Sequence, residues 1–135
     1  MKVTLEINER QAHTLKEALE LYARIGMGQL HELNYHPAFQ CRDYERDEVD
    51  QLLDHLKHTV FTDLYGRGHS YGIRHENTHE ASKEAYDIYQ VIRHRLAWHK
   101  KPEGNRWSVD FDEPTQFSQQ PLAFCKIEPS NEGSE

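Results

Sequence analysis

Residues 75–79 read HENTH: His75, Glu76, Asn77, Thr78 and His79. On a helix, H-E-x-x-H places two imidazoles on one face to hold zinc, with the Glu as general base. The neighbouring residues oppose that use. Asn77 with Glu80 has capping-box spacing, and Thr78 is a second candidate cap, so a helix should begin inside the motif. His75 would then precede the helix and fall out of register with His79. No downstream His completes a longer zinc pattern. A zinc hydrolase is thus the minor, enzymatic alternative, and His69, His75 and His79 are a loose set for adventitious metal. No catalytic residue, metal site or cofactor is assigned.

The stretch just before, LYGRGHSYGIRHE at 64–76, contains three glycines and two tyrosines. A Gly-containing loop feeding a helix N-terminus presents free backbone N–H groups to an anion. Arg67, His69 and Arg74 add positive or switchable charge, as does His75. Tyr71, like Tyr65, offers a flat face for a base. Backbone groups near Asn77 and Thr78 would cap the anion. The loop is neither a P-loop, since GK[ST] is missing, nor a dinucleotide fingerprint, since no strand precedes it. The expected ligand is small, anionic and nucleotide-like. The structural alternative is an ordinary interhelical loop with Gly for turns and Tyr for packing.

Other chemistries have less behind them. His55 and His58 are i,i+3 neighbours without a nearby third ligand. Cys41 and Cys125 lie far apart, with no CxxC and no local nucleophile pattern, which fits a reducing compartment. Arg93 and Arg95 point to different faces of their helix, so one stem packs inward or across an interface. The acids of the second helix and of WSVDFDEP could imitate DNA phosphates, but Lys and Arg are interspersed among them.

These residues need positioning elements. MKVTLEI alternates, with Val3, Leu5 and Ile7 on one side, and predicts a half-buried strand. Asn8 with Gln11 is a capping box, opening a helix from about residue 9 to about residue 34 on Leu15, Leu19, Tyr22, Ile25, Leu30 and Leu33. Gly26 and Gly28 interrupt it, either as a seam for a close neighbour or as a bend. His36-Pro37 ends the segment. A second helix covers 42–61 on a stripe of Val49, Leu52, Leu53, Leu56 and Val60. A third follows the loop, buried on Ala81, Ala85, Ile88, Ile92 and Leu96, and stops at Pro102 and Gly104. WSVDFD alternates again and would pair with the first strand. The expected fold is mainly α (α+β): a three-helix core with a small two- or three-stranded antiparallel sheet. Residues 1–114 form one compact domain and 115–135 an extended tail, loosely held, docking on its own or a partner subunit; PSNEGSE at its end is expected to be disordered.

Composition narrows the partners. The chain has 135 residues, 36% hydrophobic, with a net charge of -7. So lean a core invites burial against copies of itself, and a homo-oligomer is expected. Residues 62–106 carry eight Lys/Arg against six Asp/Glu and five of the ten His, whereas both flanks are acidic. That is too little for a duplex nucleic-acid face. No apolar run approaches a membrane span, and the N-terminus lacks a signal-peptide core.

The segments EALELYARIGMGQLHEL, AYDIYQVIRHRLAWHKKPEG and WSVDFDEP resemble a family of small proteins encoded by bacteriophages and prophages. The resemblance runs from the first helix to Pro114 and implies a setting, the cytoplasm of the infected bacterial host. It transfers no functional residue. Small phage proteins often disable host defences, and one strategy sequesters nucleotide signals such as cyclic oligonucleotides or ADP-ribose derivatives. By analogy, such a sponge is the leading expectation, with a helical module that inhibits a host or phage protein as the alternative.

Overall fold

A computed structural model describes residues 1–129. Four α-helices run in order: α1 (Glu9–Gly26), α2 (Pro37–Gln40), α3 (Arg46–Val60) and α4 (Glu80–Lys100). Short 3-10 helices cover Leu30–Tyr35 and Val109–Phe111.

The capping box forms at the start of α1: the Asn8 side chain accepts from the Gln11 N–H, and the Gln11 side chain accepts from the Asn8 N–H. The helix stops at Gly26, eight residues short of the expected end. Gly26 and Gly28 divide the two expected roles. A Cβ at Gly26 would stand 1.8 Å from the Ser82 Oγ, so this glycine is the seam where α1 meets α4. Gly28 has φ +84 and turns the chain away from the helix. Gly26 at the end of α1 faces Ser82 at the start of α4, and Glu20 reaches Tyr89 further along, so the helices run antiparallel. Ala23 on α1 and Ala85 on α4 are also small and buried.

Two expectations fail. The described residues contain no strand, so the antiparallel sheet is absent. The MKVTLEI stretch forms no regular element and is exposed throughout, and no backbone group of residues 1–7 bonds to the described chain. WSVDFD cannot be its partner, because Val109–Phe111 winds into a 3-10 turn capped by Ser108. That turn is pinned where the Trp98 indole N–H donates to the Phe111 carbonyl at 3.2 Å. Alternation over six residues was satisfied by one aromatic contact instead, the Trp98–Phe111 edge packing. The α3 stripe is also narrower than expected. Leu53 is buried, while Leu52, Leu56 and Val60 stay exposed.

The segment after Pro114 lies on α4, held by side chains that bind its backbone. Gln90 donates to the Thr115 carbonyl and accepts from its N–H, at 2.8 and 3.1 Å. The buried Asp87 accepts from the N–H groups of Phe117 and Ser118 and from the Ser118 hydroxyl. The expectation of disorder for PSNEGSE falls almost wholly outside the described residues. No helix among the described residues is long and apolar enough to cross a membrane.

Candidate functional site

The loop between α3 and α4 is anchored by its apolar residues. Leu64 and Tyr71 join Met27 in a small core, with Phe61 and Ile73 packed against it. The Tyr71 N–H donates to the Met27 carbonyl at 2.9 Å. Its hydroxyl donates to Asp63, and its ring stacks on His75 at 4.9 Å. That hydrogen bond raises the Tyr71 pKa and lowers that of Asp63.

With its ends fixed, the middle of the loop folds over α3. Arg67 grips Asp54 with two bonds, Nε to Oδ1 at 3.0 Å and Nη2 to Oδ2 at 2.6 Å, and Asp50 lies 3.6 Å from Nη1. His31 meets the same Asp54 carboxylate at 2.7 Å. The Arg67 bonds hold the Asp54 carboxyl below its ordinary range, His31 adds to this, and partial burial opposes them. Asp50 is in turn bonded by the buried Asn34, which also accepts from the Tyr44 hydroxyl.

Lys57 is the unusual member. It is only 3% exposed. Its Nζ donates to the carbonyls of Arg67 and His69, the first at 3.0 Å. Burial pushes its pKa down, and the Asp54 charge pulls it back up. Asp54 is already committed to Arg67 and His31, so the Lys57 ammonium lacks a carboxylate of its own.

Two clefts open on either side of Arg67. The larger, about 560 Å³, is lined by Asp54, Lys57, His58, Leu64, Gly66 and Arg67. The smaller, about 240 Å³, is lined by Gln29, His31, Glu32, Arg67, Gly68 and Ser70. The larger has two fixed cations to one committed acid and the volume of an ordinary small-molecule site. Tyr65, between two of its lining residues, is exposed and stacks on His69 at 14° between planes. The His69 ring is fixed because its Nδ1 accepts from the Tyr65 N–H at 2.8 Å.

The six residues singled out from sequence therefore separate. Arg67 and His69 belong to the α3 side of the loop. Arg74 stands apart, its guanidinium over the Phe117 ring at 4.6 Å. Tyr71 and Thr78 are buried and build the loop; the Thr78 hydroxyl donates to the Gly72 carbonyl at 2.8 Å. Asn77 donates from its backbone to His75 Nδ1 and from its side chain to Asp63. The Thr78 N–H donates to the His75 carbonyl, so neither residue offers a free amide.

HENTH resolves in the same way. α4 begins at Glu80 and is capped by His79, whose Nδ1 accepts from the Ala81 N–H. Neither Asn77 nor Thr78 is the cap. His75 spends Nδ1 on the Asn77 N–H and His79 on the first turn of α4, and both rings precede the helix, off the zinc register. Among the described residues no three His, Cys, Asp or Glu side chains gather as a metal set.

Sequence reasoning missed Lys57, Asp54, His31 and Asn34. One signal was present: Lys57 lies four residues beyond Leu53, the residue of the stripe that is buried, and so shares its face. The partners of Lys57 are backbone carbonyls of a loop ten residues on, which no side-chain pattern reveals.

No family model matches the chain, and it matches no curated protein and no solved structure.

Proposed function

We propose that the protein is a non-enzymatic phage accessory protein that sequesters a small anionic nucleotide-type signal, a cyclic oligonucleotide or an ADP-ribose derivative, against host antiviral defence. The binding site is the larger cleft between α3 and the glycine loop. Lys57 is the observation that carries the reading. An ammonium has three N–H donors, and two here serve loop carbonyls. The third is left for a ligand in the cleft that Lys57 lines. A buried cation without a committed counter-charge is costly, and an incoming phosphate relieves that cost. Arg67 is prepositioned by Asp54 as a second phosphate donor. His58 adds an imidazole at the wall, and the Tyr65–His69 stack supplies the platform for a base.

In this reading the site residues are Lys57, Arg67, His58, His69 and Tyr65. Tyr71 and Thr78 shape the loop, and Arg74 and Asn77 lie outside the cleft. The test is titration with ADP-ribose and with a cyclic dinucleotide. Binding that falls in Lys57→Met and Arg67→Ala, with the helical content unchanged, supports the reading. Unchanged affinity in both variants refutes the site.

A second reading rests on α3, whose Leu52, Leu56 and Val60 form an exposed apolar row at four-residue spacing. Such a row suits a helical module that inhibits a host or phage protein. It predicts sensitivity to Leu56→Asp and indifference to Lys57→Met.

A further inference from the structure

Residues 1–7 pose a physical problem. Their apolar and polar side chains alternate as in a strand, yet Val3 is 82% exposed and Leu5 66% exposed. None of their backbone groups bonds to the described chain. A solitary strand has no stability in water; it needs an edge to pair with.

The sequence of the segment is complementary to itself. Two copies laid antiparallel about a two-fold axis at Thr4 place Val3 opposite Leu5 and Met1 opposite Ile7 on one face. On the other face Lys2 lies opposite Glu6, and Thr4 opposite Thr4. The symmetry makes each unlike pair occur twice. Opposite charges and Thr–Thr pairs are favourable cross-strand neighbours. Shifting the centre to Val3 or Leu5 sets Lys2 or Glu6 against Thr4 and loses both charge pairs. Only the Thr4 register satisfies every position.

Surface area points the same way. The chain exposes 10235 Å². A folded monomer of 16.0 kDa exposes about 7,400 Å². The difference is about 2,800 Å². One partner in a standard interface buries about 800 Å². A second copy of this chain would supply the missing edge.

We propose that residues 1–7 of two copies pair antiparallel about a two-fold axis at Thr4, forming a ribbon that sets the register of a homodimer. The ribbon lies between chains and is distinct from the sheet within one chain, which is absent.

The experiment is sedimentation equilibrium on the full chain and two charge variants, with circular dichroism to confirm equal helical content. The wild type is expected to dimerise. Lys2→Glu sets like charges opposite each other twice and should weaken the dimer by about tenfold or more. Adding Glu6→Lys to Lys2→Glu recreates both pairs with reversed sign and should restore dimerisation to near the wild-type level. A wild type monomeric at about 100 μM, well above ordinary dimer affinities, overturns the proposal. So does a Lys2→Glu dimer of unchanged affinity, or a double variant as weak as the single one.

Discussion

Gly26→Ala tests the α1–α4 seam most directly. The added Cβ would sit 1.8 Å from the Ser82 Oγ and 2.7 Å from the Ser82 Cβ. Rotating the hydroxyl away removes the first clash and leaves the second, so the helices must move apart. Overpacking of this kind costs about 1–3 kcal/mol. The better helix propensity of Ala returns up to ~1 kcal/mol in a helix interior, and less at Gly26, the last residue of α1. A net loss of about 1–2 kcal/mol follows, which for a chain of this size lowers the melting temperature by about 4–8 °C. The diagnostic assay is a double-mutant cycle with Ser82→Gly, read by chemical denaturation. Ser82→Gly alone destabilises by about 0.5 kcal/mol or less through helix propensity. In the Gly26→Ala background it removes both clashing atoms and should restore stability. A coupling energy of about 1 kcal/mol or more is expected for residues in such contact. A Gly26→Ala protein as stable as the wild type, or a coupling near zero, would refute the close approach.

Leu53→Ala should cost about 2–4 kcal/mol, because it empties a buried position, whereas Leu56→Ala on the exposed flank should cost about 1 kcal/mol or less. Denaturant midpoints measured side by side decide this. Asp54 has a folded pKa below its unfolded value, so its contribution to stability is present above the ordinary Asp pKa of about 3.9 and disappears as pH falls through the lower folded value. Asp54→Asn should therefore be less stable than the wild type near neutral pH, with the difference shrinking below about pH 4; an equal difference at all pH values contradicts the Asp54 assignment.

The parts legible in sequence were those governed by local rules. The Asn8–Gln11 box follows from capping, and the bodies of α3 and α4 with the stop near Pro102 follow from 3.6-residue spacing, though α3 starts at Arg46 rather than residue 42 and α4 at Glu80 behind a His79 cap. The glycines of IGMGQL were marked as special, though only the fold could assign Gly26 to packing and Gly28 to a turn. Alternation misled at residues 107–112, where the Trp98–Phe111 contact overrode strand propensity. It misled at residues 1–7 as well, where the described chain forms no strand and the apolar side chains stay exposed. At the loop, sequence identified the segment and misjudged its faces. Tyr71 looked like a platform and became core, since nothing local shows that its ring packs on His75 over Met27. Lys57 was not singled out, since its burial depends on a loop folding back over α3.

The most direct measurement of the central claim is isothermal titration of the purified protein with ADP-ribose and with a cyclic dinucleotide, each repeated on Lys57→Met and Arg67→Ala. Saturable binding of at least one ligand is expected, weakened by added salt and reduced about 10–100-fold when the Lys57 ammonium is removed, the value of one charged hydrogen bond. No heat from either ligand, or an affinity indifferent to both substitutions, would contradict a nucleotide site between α3 and the glycine loop.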